Sequence, residues 1–246
     1  MKNFSSVKIF SISTNNYKSF NLSFIKSFTD FFLPDHKKQI FIFTDDINHE
    51  SYRTLTEIKT FQIRHEPWPW ITLKRYEYIT NMFDLIRDDD LCIFADIDLE
   101  IIQMIKTLEI NSFAGVIHPG NLVNPYMNQF LEHNSDSSAY INESLIPKNY
   151  KYIQGCLWGG IGKNFIDMVQ VLKENTEKDL NNNIVAKWHD ESHLNKFCIE
   201  RFNNFSFLSS SYAYPENWNL PIDKIIVHKD KNMEMYPRFE RLNVSK

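Results

Sequence analysis

Two acidic residues two positions apart, Asp96 and Asp98, follow closely on the apolar run Leu91 to Phe94 in the segment DDDLCIFADIDLE. Such a run reads as a short buried strand, and in extended chain residues two apart project from the same side. Both carboxylates can therefore face one ligand, and the carboxyl ends of strands are where open α/β sheets bind their ligands. Like charges held close repel, so the pair calls for a cation between or beside them. Hard oxygen ligands favour Mg²⁺ or Mn²⁺, which commonly complete their coordination with substrate phosphates. A solvated acidic turn would give the same letters, since Asp-x-Asp arises often by chance.

The second chemical segment is KWHDESHLNKF, Lys187 to Phe197. Asp190 is placed to cap a helix whose first turn holds Glu191 and whose later turns are apolar. Carboxylates at the positive end of a helix suit groups that stabilise positive charge or attack an electrophilic carbon. Capping alone would also account for Asp190. His189 and His193, four apart, would share a helical face and suggest a zinc hydrolase. The hydrolase signature has Glu directly after its first His, however, where this chain has Asp190, and no third ligand is in view.

These residues need a scaffold, and the sequence describes one. Val7 to Ser13 reads as a strand, broken by Asn15 and Asn16, and Phe20, Phe24, Phe28 and Phe31 recur at helical spacing until Pro34 and Asp35. Gln39 to Phe43 is a second buried strand. Leu73, Tyr76, Thr80, Phe83 and Ile86 mark another helix before the strand at Leu91. This alternation predicts an α/β fold with a mostly parallel sheet flanked by helices. The later part adds a strand and turn at AGVIHPG, a polar loop from Asn121 to Ser138, an aromatic strand ending in Gly159-Gly160, and helices from Gly162 to about Glu174 and from near Asp190. The Glu66 to Trp70 stretch (EPWPW) reads as a rigid turn, although its tryptophans would also suit an acceptor sugar.

With 246 residues, the chain has the length for one substantial core. Its formal charge of -4 argues against a sequence-independent grip on nucleic acid. Cys92, Cys156 and Cys198 sit in apolar stretches without ligand spacing, as reduced core residues of a cytoplasmic chain would. The N-terminal segment has no signal-peptide pattern and no run is long enough for a transmembrane helix, so a soluble protein is expected.

Taken in order, FTDD at Phe43 to Asp46, LKRYEYI at Leu73 to Ile79, FADID at Phe94 to Asp98, HPG at His118 to Gly120, SAYI at Ser138 to Ile141, Gly159-Gly160 and WHDESHLNK at Trp188 to Lys196 resemble glycosyltransferase family 6. These are the retaining α-1,3-galactosyl and N-acetylgalactosaminyl transferases that include the histo-blood-group A and B enzymes. The resemblance runs from Ile12 to about Lys231 and looks most like a soluble bacterial or viral member. It implies a GT-A fold, a Rossmann-like mixed sheet flanked by helices, as one catalytic domain over residues 1–246. About 1–100 would bind the nucleotide and about 101–246 the donor sugar and acceptor. The implied activity is transfer of galactose or N-acetylgalactosamine from a UDP-sugar donor to a glycan acceptor with retention.

By position in that family, Ile12, Ser13, Thr14 and Tyr17 look like the uridine pocket and Arg75 like the arginine near the donor. Asp96 and Asp98, with Ile97 between them, match the metal-binding pair for Mn²⁺ or Mg²⁺. Many bacterial members carry Asn at both positions and work without metal, so the acidic pair here implies metal dependence. Glu191 matches the catalytic glutamate, and Asp190 its partner on the donor sugar. Trp188 and His118 match acceptor-side residues, with His189 beside them. DKNMEMYPRFER, from Asp230 to Arg241, resembles the basic tail that closes over the diphosphate, with Lys231 the best-aligned cation. The donor-selecting positions fall at Gln154 and Cys156, with Gly155 between them on the substrate side, and Gln154 departs from the family. Asn121-Leu122, LEHNSD before SAYI, and Pro215 depart from its acceptor-side pattern. A non-catalytic nucleotide-sugar or glycan-binding module would keep the same fold.

Overall fold

The computed structural model describes residues 4–53 and 57–231. Of the tail segment DKNMEMYPRFER, residues 232–241 lie outside the described residues. In chain order the elements are β1 (Val7–Ser13), α1 (Asn21–Phe31), β2 (Lys38–Thr44), β3 (Ile58–Gln62), α2 (Trp70–Leu73), α3 (Arg75–Thr80), β4 (Leu91–Ala95), β5 (Leu99–Ile101) and β6 (Phe113–Ile117). They continue with β7 (Ile153–Ile161), α4 (Gly162–Asn181), α5 (Asp190–Glu200), β8 (Phe205–Leu208), β9 (Tyr214–Pro215) and β10 (Ile226–His228).

Seven strands form one mixed sheet in the order β3-β2-β1-β4-β7-β6-β8. The first four are mutually parallel, β7 is antiparallel to both β4 and β6, and β8 runs parallel to β6. A small second sheet, β5-β10-β9, grows from the chain just after β4. Alternation along the central strands divides the core between the two sheet faces. On β4, Cys92 and Phe94 join Phe10, Trp158, Phe165 and Leu194. Leu91, Ile93 and Ala95 join Ile9, Phe24 and Phe28 of the opposite cluster. The first face is a run of stacked aromatics, Phe41 to Phe10 to Phe165 to Trp158 to Phe94, with successive centroids 4.9, 5.4, 5.8 and 5.2 Å apart. All three cysteines are free and buried, as expected. Among the described residues no helix is long and apolar enough to cross a membrane.

Three elements differ from the sequence reading. Helix α1 stops at Phe31, which is 38% exposed. The extended backbone of Phe32 turns that ring, instead, into the core. The helix expected from Leu73 to Ile86 is broken: Lys74 (φ -88, ψ -1) separates α2 from α3, and only a short 3₁₀ turn covers Phe83–Leu85. Helix α4 runs on past Glu174 to Asn181 because its polar end is anchored. Thr176 and Asp179 are buried, and Asp179 accepts hydrogen bonds from Ser137 Oγ and Ser138 N, each at 2.5 Å.

Candidate active site

The chain leaves β4 at Ala95 and turns at once, Asp96 N–H donating to the Cys156 carbonyl of β7 and Leu99 N–H closing back on the Asp96 carbonyl. Ile97 is turned into the core at 2% exposure, so only its backbone remains for a ligand. Its neighbours line the cleft: Asp98 is buried and Asp96 keeps 28% of its side-chain surface. His228, at the end of β10, joins them, and one ligand atom from each of the three lies within 4.8 Å of the others. Lys231 Nζ stands 2.7 Å and His228 Nε2 3.3 Å from Asp98 Oδ2. Asp98 Oδ1 is buried with no partner among the described residues. A buried carboxylate oxygen left unpaired is costly, and two carboxylates with an imidazole are a donor set that fits a divalent cation.

The two carboxyls titrate in opposite directions. Burial raises Asp96 to about 6, offset in part by Arg75. Burial works against the Asp98 anion too, but His228 and Lys231 outweigh it and hold Asp98 well below the usual carboxylate range.

Arg75 links this pair to the other carboxylates. It is 4% exposed, its guanidinium lying over the Phe94 ring at 4.5 Å. One nitrogen donates to the Gly155 carbonyl at 2.7 Å and pairs with Asp190 Oδ2 at 3.2 Å, while the other is 3.6 Å from Asp96 Oδ1. Asp190 is thus a partner of Arg75. It is not the helix cap expected from the sequence: the residue preceding α5 is His189, at φ 54, and Asp190 is already helical.

Glu191 is gripped at both oxygens. Tyr152 Oη donates to Oε1 and Gly155 N–H to Oε2, each at 2.7 Å. Burial lifts its carboxyl to about 7 despite these two bonds. Asn195, one turn on, fixes helix against strand. Its amide donates to the carbonyls of Ile153 and Glu191, while its oxygen accepts from Ile153 N–H and from the Tyr150 hydroxyl. A Cβ at position 155 would come within 3.4 Å of Asp190 Oδ2 and Glu191 Oε2. The missing side chain therefore keeps room in front of both carboxylates.

The remaining sequence candidates fall around this centre with different freedom. Ser13 is buried with its hydroxyl committed to Asn21 Oδ1 at 2.6 Å, and Thr14 Oγ1 meets His65 Nδ1 at 3.0 Å. Ile12 packs on the core, and the Tyr17 ring lies 5.2 Å from Lys231 Nζ. Cys156 is buried close enough to Asp96 and Asp98 for them to add to the effect of burial, which raises its thiol well above the ordinary value. His118 accepts from Gly120 N–H at 2.9 Å and is held neutral by burial, its pKa down at about 4. Trp188 lies edge-on to Phe130, and Trp68, 41% exposed, meets His189 edge-on at 4.4 Å. The zinc arrangement fails on geometry. His189 lies outside the helix, His193 is sealed beside Asp179, and among the described residues neither belongs to a group of three metal-ligating side chains. His228 and Tyr152 were not singled out by the sequence reading. Each acts through a partner far along the chain, with no local pattern to mark it.

A seven-stranded mixed sheet with an acidic pair at the end of a central strand, faced by carboxylates on a helix N-terminus, defines an α/β enzyme of the GT-A glycosyltransferase type. The family model for glycosyltransferase family 6 matches residues 3–235, and the chain belongs to that family. Similar proteins include the O-antigen biosynthesis glycosyltransferase WbnI of Escherichia coli, 29% identical over 94% of this chain and 97% of that protein. Globoside alpha-1,3-N-acetylgalactosaminyltransferase 1 of Gallus gallus is 24% identical over 93% of this chain and 68% of its own length. Histo-blood group ABO system transferase 2 of Rattus norvegicus is 23% identical over 76% of this chain and 57% of its own. The protein is accordingly a glycosyltransferase, with a nucleotide-sugar donor and a glycan acceptor as its substrate classes.

Proposed function

We propose that this enzyme moves galactose or N-acetylgalactosamine from UDP to a glycan hydroxyl, in α-1,3 linkage, with retention and with help from Mn²⁺ or Mg²⁺, as a single catalytic domain. The observation that carries the reading is the convergence of Asp96 and Asp190 on one buried arginine, with Glu191 held beside them. Charge-neutralising and carbon-facing groups then share one cleft, as transfer from a nucleotide diphosphate requires. The name of the chicken relative, an alpha-1,3-N-acetylgalactosaminyltransferase, favours the same donor class.

Asp96 and Asp98 hold the cation, with His228 in reach. When bound, the cation supplies Lewis-acid stabilisation of the charge that builds on the departing diphosphate. Lys231 adds a fixed positive charge at the same end of the site. Ile12, Ser13, Thr14 and Tyr17 border the uridine. Arg75 pairs with Asp190 and keeps its carboxylate aimed, so that Asp190 can bind a hydroxyl of the donor sugar. Glu191 presents a carboxylate to the anomeric carbon, as nucleophile or as electrostatic support for attack on the same face. His118, neutral and fixed, borders the acceptor with Trp188 and His189.

The test is UDP release from UDP-galactose, UDP-N-acetylgalactosamine, UDP-glucose and UDP-N-acetylglucosamine, with and without Mn²⁺. Release confined to one or both galacto-configured donors and dependent on Mn²⁺ is expected. Undiminished release in EDTA would sink the metal role, and a preference for either gluco donor would sink the donor class.

A further inference from the structure

His228 reaches the acidic pair from a different sheet. It is the last residue of β10, paired in register with Leu99 of β5, and its ring spans two polar partners. Nε2 stands 3.3 Å from Asp98 Oδ2 and Nδ1 stands 3.4 Å from Gln154 Nε2. Neighbouring ligands on an octahedral ion with bonds of about 2.1 Å lie about 3 Å apart. The separation of Nε2 from Oδ2 is therefore one that a shared ion bridges, and Asp98 Oδ1 beside it has no partner among the described residues.

Gln154 carries the second anomaly. Among the described residues its Oε1 is buried without a partner, although the same amide touches His228 through Nε2. The oxygen and nitrogen of a glutamine amide are nearly isosteric, so turning it over exchanges them within the same space. Oε1 then accepts a hydrogen bond from Nδ1–H, which puts the ring proton on Nδ1 and leaves the Nε2 lone pair facing Asp98. In the other orientation Gln154 donates to Nδ1, and Nε2–H donates to Asp98. His228 thus has two self-consistent states, one serving a carboxylate and one serving a cation. A metal-bound histidine ordinarily needs such an acceptor on its second nitrogen.

We propose that His228 is a third protein ligand of the divalent cation, through Nε2, and that Gln154 is the positioning residue that fixes its ring. The inference rests on the reading that Asp96 and Asp98 bind a cation. It gives Gln154, by sequence a donor-selecting position, a role in holding metal. An imidazole in the set also favours Mn²⁺ over Mg²⁺, since Mg²⁺ is the harder ion and accepts a nitrogen donor less readily.

The experiment is Mn²⁺ titration of the full chain with UDP present and no turnover, following free Mn²⁺ by EPR and its bound nitrogen by pulsed EPR. Wild type is expected to show ¹⁴N coupling from one imidazole. His228→Ala should lose it and bind Mn²⁺ at least tenfold more weakly. Gln154→Leu should keep the coupling yet weaken binding by roughly tenfold, the usual size of a lost outer partner, with Gln154→Glu restoring it. Bound Mn²⁺ without ¹⁴N coupling in wild type would overturn the His228 assignment while leaving the acidic pair intact. Unchanged affinity in Gln154→Leu would overturn the role of Gln154. If wild type binds no Mn²⁺ at all, the metal reading itself fails.

Discussion

In the proposed reaction Glu191 has to be an anion to serve an electron-poor carbon, and its surroundings oppose that. Burial raises its pKa to about 7 even with Tyr152 and Gly155 hydrogen-bonded to it. Because the ionised form is the working one, kcat/KM is expected to climb with pH through about 7, and Tyr152→Phe, which removes a bond to the anion, should move that limb upward. A limb unmoved in Tyr152→Phe would separate it from Glu191. The same shift has a sign for stability. A carboxyl whose folded pKa exceeds its unfolded one favours the fold below about pH 4.5 and loses that contribution as pH rises through about 7. Glu191→Gln, never ionised, should therefore match wild type in denaturant titrations near pH 4 and exceed it at pH 8, by up to about 3 kcal/mol. Gln fits the clamp, since its oxygen can accept from Gly155 while Tyr152 reverses its hydroxyl. The variant should bind UDP normally by calorimetry and lose turnover; near-normal turnover would refute the catalytic role. Asp98→Ala should cut turnover about a hundredfold or more, in keeping with several kcal/mol of lost charge stabilisation.

Among elements, the contact of α5 with β7 decides where Glu191 stands, and Asn195 is its register pin. The side chain is buried and satisfies both backbone polar groups of Ile153, so an apolar replacement strands them. Asn195→Leu is expected to cost about 3 kcal/mol, a melting shift of roughly 6–12 °C for a chain of this length. A loss of less than about 2 °C would show that water takes over those bonds. The Gly159-Gly160 pair explains the other side of β7. A Cβ on Gly159 would overlap the Cys92 carbonyl, which is how β4 and β7 come close enough to share the site. The sequence made this pair, the acidic pair and Asp190-Glu191 legible because each is a local pattern on a periodic element. The break in the helix at Lys74 and the extension of α4 were hidden, since the first interrupts a run of helix-compatible apolar spacing and the second depends on Asp179 finding two serines some forty residues away. His228 was hidden for a related reason. Its sheet is built from strands of three, three and two residues, too short for any alternation to be seen.

At the scale of the molecule, the cleft sits where the two sheets meet. Asp96 follows the last residue of β4 in the large sheet, Asp98 precedes β5 in the small one, and β10 brings His228 from far along the chain, with Lys231 three residues beyond. In the metal reading, a cation shared by these groups cross-links the two sheets and belongs to the folded state alone, because the unfolded chain scatters its ligands. Ligand present at about a hundred times its dissociation constant then adds about 2.7 kcal/mol to folding, which for this length is a rise of roughly 5–10 °C in melting temperature. UDP alone should give part of that rise, and Mn²⁺ with UDP more than the sum of each, because the diphosphate completes a shell the protein leaves open. Scanning calorimetry with each ligand and with both measures this directly. If Mn²⁺ adds nothing to the shift produced by UDP, the cation does not bind between nucleotide and protein. In that case the acidic pair would be balanced by the protein's own Lys231, Arg75 and His228.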